Sequence, residues 1–409
     1  MTLSVGSLVA DAFERRVAPL EDLAGQAEAL TLAAQEIAER FAAGGRLLVF
    51  GAATDAQHVA VEFLHPVIVG KPALPAISLV ADIATLTQLG HEAPQDVFAR
   101  QLGVLGRPQD IALGISRDAG TEDVRRGLVA AAARGMLTVG LLGDHIGVQA
   151  RHALVVRSDD PLVVKEGHVS TYHLLWELVH VFLEDRRAGR SDDPALALYP
   201  FLAGGGSDDV VASTVASSRA KLGDVVALRA AVGAAEHDRL VACAAAMTDR
   251  FQDGGTLLAF GNGGSSTDTQ DVVQAFLAPV RQPALPALCL TNDVAVVTAL
   301  SNDVSFEVIF ARQLAALARP GDVALGISTS GGSANVLAGL SAAAELGLLT
   351  VGLAGNEGGA MRALPGLEHL FVVPSSSVHR IQEVQTTLYH VLWEAVRAQL
   401  ASSAPATAS

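Results

Sequence analysis

The sequence predicts an α/β protein built as two tandem, doubly wound parallel-sheet domains flanked by helices. The first observation is an internal duplication, in which Gly51 of one copy aligns with Gly261 of the other. The offset is about 210 residues, the size of whole domains rather than of solenoid repeats. The second observation is that short aliphatic runs alternate with Ala- and Leu-rich stretches at helical spacing. The runs are mostly apolar and do not alternate with polar residues, which favours parallel strands buried on both faces.

Four apolar runs of the first copy predict its strands in order, and each returns in the second copy. The runs are RLLVFG (46–51), ALPAISLV (73–80), DIALGIS (110–116) and LTVGLLG (137–143). EDVRRGLVAAAARG and its counterpart ANVLAGLSAAAELG predict covering helices that end at Gly135 and Gly347, which suit a C-cap. Ligands bind beyond the carboxyl ends of strands in such sheets, so the loops after LLAFG and ALGIS are the expected site.

The duplication divides the chain into two domains with a short connection. Residues 1–195 are predicted to form the first domain and residues 213–400 the second. Residues 196–212 contain the stretch AGGGSDD and are predicted to be a flexible linker, followed by a helix that leads into the second copy. Residues 401–409 are expected to be a disordered tail.

Composition and charge exclude several classes of function. Of the 409 residues, 50% are hydrophobic and 17% are charged, which suits a large buried core. The formal net charge of −15 opposes a nucleic-acid partner, because such binding depends on clustered Lys and Arg. No apolar run is long enough to span a bilayer and no signal-peptide pattern is present, so a cytoplasmic location without membrane association is expected. The two cysteines have no metal spacing and predict neither a disulfide nor a cysteine zinc site.

The loop after the first strand of the second copy has the composition of a phosphate cradle. The sequence GNGGSS follows the strand LLAF and opens a helix. Gly263 allows a tight turn, while Asn262 and Ser265 offer side-chain donors beside backbone N–H groups at the helix N-terminus. The aligned loop of the first copy has shrunk to GAAT.

A second loop repeats this arrangement after the strand VALGIS. Its hydroxyl side chains are Ser328, Thr329, Ser330 and Ser333. Either loop alone could be an ordinary strand-to-helix turn, since Gly and Ser are common turn residues. Two such loops at the ends of strands in one sheet favour a single phosphorylated, polyhydroxy ligand.

Several separated motifs of the second copy resemble a known family. They are GNGGSS with the following DTQ, LTNDVAVVTALSND, RPGDVALGISTSGGSANVL and RIQEVQTTLYH. These motifs resemble the phosphoheptose isomerases, which are sedoheptulose 7-phosphate isomerases of the sugar isomerase (SIS) fold. The resemblance covers nearly all of the second copy and, more weakly, the first.

The resemblance implies roles for particular residues. The family's phosphate loops fall on Asn262, Gly263, Ser265, Ser328, Thr329, Ser330 and Ser333. Asp293 in the TND turn is expected to face the sugar. Members carry a His and a Glu four residues apart after the glycine loop, and a Gln and a His eight apart on the last helix, here Gln382 and His390. In some members these four side chains hold a zinc ion, a metal that prefers imidazole and carboxylate ligands.

The sequence departs from the family in a complementary way. The second copy has Asp271 and Ala275 where the family has His and Glu, whereas the first copy has His58 and Glu62 there. Conversely, in the first copy Asp118 replaces the serine that matches Ser330, and its charge would repel phosphate. Lys165 replaces the glutamine that matches Gln382, although His173 still matches His390. Although His173 aligns with His390, a structural or surface role is expected for His173, as it is for His65 and His168.

This complementarity suggests one composite active site. The second copy would supply the phosphate loops, and each copy would supply one member of the acid–base pair. Glu62 is the expected catalytic base and His390 the expected acid, interconverting a ketose and an aldose phosphate through an enediol. A zinc ion would be held by His58, Glu62, Gln382 and His390. Independent decay of both copies is the alternative to a shared site.

Two classes of function remain open from the sequence. The first is an aldose–ketose isomerase that converts sedoheptulose 7-phosphate to an aldoheptose 7-phosphate. The second is a non-catalytic phosphosugar-binding regulator or assembly protein of the same fold. The expected partners are a sugar phosphate and a second copy of the chain, in a homodimer that resembles a tetramer of single SIS domains.

Overall fold

The two sequence copies form two separate five-stranded sheets. The computed structural model describes residues 4–66, 70–117, 122–144, 147–188, 207–279 and 282–403. The chain divides into a first unit, Arg16–Val226, and a second unit, Met1–Arg15 with Ala227–Ser409. Each unit contains one sheet, so the predicted tandem α/β architecture is confirmed.

All strands within each sheet are parallel. The first sheet contains β1 (Leu47–Gly51), β2 (Ala76–Ser78), β3 (Ile111–Ser116), β4 (Leu137–Gly143) and β5 (His152–Val156) in the order β2-β1-β3-β4-β5. The second contains β6 (Leu257–Gly261), β7 (Ala287–Cys289), β8 (Val323–Ser328), β9 (Leu349–Gly355) and β10 (His369–Val373) in the order β10-β9-β8-β6-β7. The direction of winding changes between β1 and β3 in one sheet and between β6 and β8 in the other. Such switch points are where doubly wound sheets bind ligands.

Helices cover the sheets. In the first half of the chain they are α1 (Val5–Glu14), α2 (Val17–Gly25), α3 (Ala27–Ala42), α4 (Ala53–Leu64), α5 (Ile83–Glu92), α6 (Val97–Leu105), α7 (Glu122–Ala133) and α8 (Pro161–Ala188). In the second half they are α9 (Ser207–Gln252), α10 (Gly264–Leu277), α11 (Val294–Asp303), α12 (Ile309–Leu317), α13 (Ala334–Glu345) and α14 (Val378–Ser403). None of the described helices combines the length and the apolar character that a membrane crossing requires.

The local predictions agree with these elements where the signals were strong. Each of the four predicted runs of the first copy contains a strand, and α7 and α13 lie where the helices were predicted. Gly135 and Gly347 both have φ of +77°, the left-handed conformation expected after a helix. The edge strands β5 and β10 were not predicted; both are only partly buried and begin with a histidine.

The domain bounds differ from the prediction because helices are exchanged between the copies. Helix α1 belongs to the second unit, and the start of α9, up to Val226, belongs to the first. Of the predicted linker 196–212, residues 196–206 lie outside the described residues and 207–212 begin α9. Of the predicted tail 401–409, residues 401–403 end α14 and the remainder lies outside the described residues.

Buried side chains hold each exchanged segment in place. In the second unit, Val9 and Ala12 are fully buried in the apolar core, and Arg15 forms an ion pair with Glu394 at 2.5 Å. In the first unit, Leu222 is fully buried in the core. The exchanged helices therefore contribute to the core of the unit that receives them.

Candidate functional site

The glycine loop after β6 forms a tight turn into α10. Gly263 is the N-cap of α10 and has φ of +54°, a conformation that glycine adopts without a steric penalty. Ser265 lies in the first turn and is 5% exposed. The amide of Asn262 makes two reciprocal hydrogen bonds with the amide of Asn335, at 2.8 and 2.9 Å. Asn262 therefore ties the glycine loop to the start of α13.

The loop after β8 gathers three hydroxyl groups. The Oγ of Ser328 lies 3.0 Å from the Oγ of Ser333 and 3.4 Å from the Oγ of Ser330. Ser333 is the N-cap of α13, and the partly buried Thr329 lies between the other serines in sequence. Because the register pairs Gly261 with Ile327, the two loops leave adjacent strands at the same edge of the sheet. This geometry places the predicted residues Asn262, Gly263, Ser265 and the four loop hydroxyl residues in the same unit.

Two glycines allow the serine loop to lie against the following loop. Gly331 has φ of +63°, and a Cβ atom there would lie 2.2 Å from the carbonyl oxygen of Gly358. A Cβ atom at Gly359 would lie 2.3 Å from the carbonyl oxygen of Ser330. The backbone positions of the hydroxyl groups thus depend on glycine at both points.

Helix α14 contributes the predicted Gln382 and His390, both buried. The Nε2 of His390 lies 3.1 Å from Oδ2 of Asp271 on α10, within hydrogen-bond distance. The hydroxyl of Tyr389 lies 3.1 Å from the same Oδ2 and 3.3 Å from Oδ1 of Asp268. Asp271, which departs from the family pattern, therefore contacts His390 through its carboxylate.

Asp293, which was expected to face the sugar, also caps a helix. It is the N-cap of α11, and its Oδ1 accepts a hydrogen bond from the backbone N–H of Val296 at 3.0 Å. Asp82 caps α5 of the first unit in the same way, accepting from the N–H of Thr85 at 3.0 Å. The cap therefore accounts for an aspartate in both copies, including the one without a serine loop.

The equivalent place in the first unit contains an ion-pair cluster. Oδ2 of Asp55, the counterpart of Asp268, accepts a hydrogen bond from Nε of Arg117 at 2.7 Å. Its Oδ1 accepts from Nζ of Lys165, the residue that replaces Gln382. Arg117 also donates to Oγ1 of Thr54 at 2.6 Å. Asp118, which was expected to repel phosphate, lies outside the described residues.

A second cluster in the first unit joins the predicted His58 and Glu62 to His173. One nitrogen of each histidine and one oxygen of Glu62 all lie within 4.8 Å of one another, and all three side chains are buried. The Nε2 of His58 lies 3.5 Å from Oε1 of Glu62. Two imidazoles and a carboxylate are a donor set that suits zinc.

Two contributors to these clusters were not predicted from the sequence. His173 was expected to be structural, yet its alignment with His390 was the signal that it reaches the same place in its unit. Asn335 follows Ser333 directly in the GGSANVL motif, and no pattern indicated its pairing with Asn262. The predicted metal ligands are divided between the units, with His58 and Glu62 in the first and Gln382 and His390 in the second.

Comparisons with known proteins agree with this architecture. The SIS domain family matches residues 13–143 and 222–355, more than half of the chain. The phosphoheptose isomerase of Paramagnetospirillum magneticum is 44% identical over 171 residues, which cover 41% of this chain and 88% of that protein. The phosphoheptose isomerase of Aquifex aeolicus is 43% identical over 160 residues, covering 39% of this chain and 83% of that protein.

A solved structure resembles the chain over nearly its whole length. It is the C-terminal domain of glucosamine-fructose-6-phosphate aminotransferase from Francisella tularensis, with a TM-score of 0.59, 8% identity, and coverage of 95% of this chain and 96% of that one. At this identity the likeness concerns the fold alone. The two matched stretches and the relatives above show that the chain belongs to the phosphoheptose isomerase family of SIS domain proteins and carries the SIS domain twice.

Proposed function

We propose that the protein is an aldose–ketose isomerase that converts sedoheptulose 7-phosphate to an aldoheptose 7-phosphate through an enediol. The observation that carries this proposal is the pair of loops at the switch point of the second sheet. Three serine hydroxyls gather after β8, and the Asn262–Asn335 pair joins them to the glycine loop after β6. The substrate class follows from the similarity to phosphoheptose isomerases.

The second unit binds the phosphate end of the substrate in this proposal. Backbone N–H groups at the start of α10 and the hydroxyls of Ser265, Ser328, Thr329, Ser330 and Ser333 donate hydrogen bonds to the phosphate oxygens. Asp293 and Gln382 bind hydroxyl groups of the sugar. Burial of Ser328 and Gln382 supports the proposal, because donors fixed before the ligand arrives need little reorganisation.

Proton transfer is shared between residues of the two copies. Glu62 removes the proton from the carbon next to the carbonyl, and His390 donates a proton to the carbonyl oxygen. Glu62 then gives its proton to the former carbonyl carbon, and His390 takes the proton from the hydroxyl of the carbon that Glu62 had deprotonated. No proton is gained or lost overall. The support is the residue content of the units, since the second unit has Ala275 where the first has Glu62.

The residues of the first unit fit a zinc ion better than the set expected from the family resemblance. His58, Glu62 and His173 lie together, whereas His390 contacts Asp271. These three residues of the first unit would hold the ion. When bound, zinc supplies a Lewis acid that polarises an oxygen atom of the sugar.

Activity measurements on two variants test the proposed function. The wild-type protein is incubated with sedoheptulose 7-phosphate and the aldoheptose 7-phosphate is quantified. We expect Glu62→Ala to lower kcat by roughly 10²- to 10⁴-fold with little change in ligand binding, and Ser330→Ala to weaken binding. Wild-type activity in Glu62→Ala would refute the shared site. Substrate binding by the wild type without conversion would favour a phosphosugar-binding regulator or assembly protein.

Metal analysis distinguishes the two ligand sets independently of activity. Zinc content is measured in protein purified without chelator for the wild type, His58→Ala, His173→Ala and His390→Ala. We expect zinc to be lost from the first two variants and retained in His390→Ala. Loss of zinc from His390→Ala would instead support the ligand set that the family resemblance implies, which includes His390. Absence of zinc from the wild type would remove the metal from the proposal.

A further inference from the structure

The second unit contains a buried polar network that the family resemblance does not account for. His390 and Tyr389 of α14 both contact the carboxylate of Asp271 at 3.1 Å. The Tyr389 hydroxyl also lies 3.3 Å from Asp268. All four side chains are at most 3% exposed. The hydroxyl has one proton and can donate to one carboxylate at a time, so the imidazole supplies a second donor to Asp271.

The corresponding positions of the first unit have a different chemistry. His58 stands where the second unit has Asp271, and its ring lies 5.4 Å from the ring of His173, the counterpart of His390. Glu62 completes that cluster, whereas the second unit has Ala275. Helices α4 and α8 of the first unit therefore carry a set of side chains that suits a metal ion. The corresponding helices α10 and α14 of the second unit carry a carboxylate–imidazole pair instead.

We propose that Asp271 is a positioning residue for His390, an inference that rests on the proposed isomerase function. The carboxylate accepts the Nε2 hydrogen, which holds the ring in one orientation, and it stabilises the imidazolium form that donates a proton to the carbonyl oxygen. This arrangement follows a general pattern in which a buried carboxylate orients an acid–base histidine. Burial strengthens the interaction because little water competes for either partner.

Kinetics of Asp271→Asn test this role. Asparagine retains the size of the side chain and one acceptor oxygen but removes the charge. We expect kcat to fall about 10- to 100-fold, part of the roughly 10²- to 10⁴-fold that general acid–base catalysis contributes, while KM stays within about twofold. In a His390→Gln background the same substitution should cause little further loss. Turnover of folded Asp271→Asn within twofold of the wild type would overturn the proposal, as would an undiminished loss in the His390→Gln background.

A spectroscopic measurement separates this inference from the proposed function. Nitrogen-15 spectra of the full-length protein, assigned with His390→Gln, report which ring nitrogen of His390 carries hydrogen. We expect Nε2–H in the wild type and a changed His390 signal in Asp271→Asn. A wild-type ring without hydrogen on Nε2 would overturn the proposal even if Asp271→Asn failed to fold. Inactive wild-type protein with the expected signal would instead count against the isomerase function.

Discussion

At the scale of single residues, Asp55 and Asp268 show how one position acquires different partners after duplication. Asp268 lies near the hydroxyl of Tyr389, whereas Asp55 binds Arg117 and Lys165. Both aspartates are fully buried. A buried aspartate occupies this position in both copies, but its neighbours are cationic in the copy that has the shorter loop. Lys165 is therefore better explained as a partner of Asp55 than as a ligand-binding residue.

Burial of His168 makes the stability of the first unit depend on pH. Burial lowers the pKa of His168 from 6.5 to about 4, an effect that Asp55 opposes and that Arg117 and Lys165 reinforce. The unfolded chain protonates this ring below pH 6.5, but the folded chain does so only near pH 4. Stability contributed by the neutral ring is therefore present above pH 6.5 and falls as the pH decreases toward 4, by about 1.4 kcal/mol per pH unit.

The prediction is tested with His168→Gln, since glutamine occupies the equivalent position 385 of the second unit. The free energy of unfolding is measured in urea at pH 5 and pH 7.5 for both proteins. We expect the difference between the two pH values to be smaller in the variant. An equal difference in both proteins would show that other groups cause the pH dependence.

At the scale of elements, the serine loop after β8 depends on one of its two adjacent glycines. Gly331→Ala would place a Cβ atom 2.2 Å from the carbonyl oxygen of Gly358, whereas at Gly332 the nearest atom is Oγ of Ser330 at 3.7 Å. We expect Gly331→Ala to weaken phosphosugar binding at least about tenfold, because left-handed strain and the clash cost about 1–2 kcal/mol or more. Gly332→Ala should bind nearly as the wild type does. Calorimetric titration measures both, and equal affinities in the two variants would contradict this explanation.

The loops and strands near the site were predictable because their signals are local. A strand buried on both faces is an apolar run, and glycine and serine at its end mark a turn with exposed donors. The contacts of Asn262 with Asn335 and of Asp271 with His390 were not predictable, because each joins residues at least 73 positions apart. The edge strands β5 and β10 were not predicted either, and they differ from the central strands in being only partly buried.

At the scale of the whole molecule, the exchanged helices make each unit depend on chain from the other copy. Val9, Ala12 and Phe13 of α1 belong to the core of the second unit, and His237 contacts the carbonyl oxygen of Gly6 at 2.9 Å. The duplication was readable from the sequence, but the exchange was not. The exchange depends on packing between residues more than 200 positions apart, which the local pattern of α1 does not specify.

Removal of residues 1–15 tests the exchange. We expect this deletion to destabilise the second unit by at least about 3 kcal/mol, since the loss of one large buried side chain such as Phe13 already costs about that much. Hydrogen exchange is measured in β6 and β8 of the second unit and in β1 and β3 of the first. Faster exchange confined to β1 and β3 would contradict the assignment of α1.

The placement of α1 also affects how the chain matures during synthesis. This helix leaves the ribosome more than 200 residues before its core partners, which begin at Ala227. At about 5–20 residues per second, the delay is on the order of 10 to 40 seconds. During that interval the apolar side of α1 lacks its native neighbours, so this helix completes its packing only after the whole first unit has been synthesised.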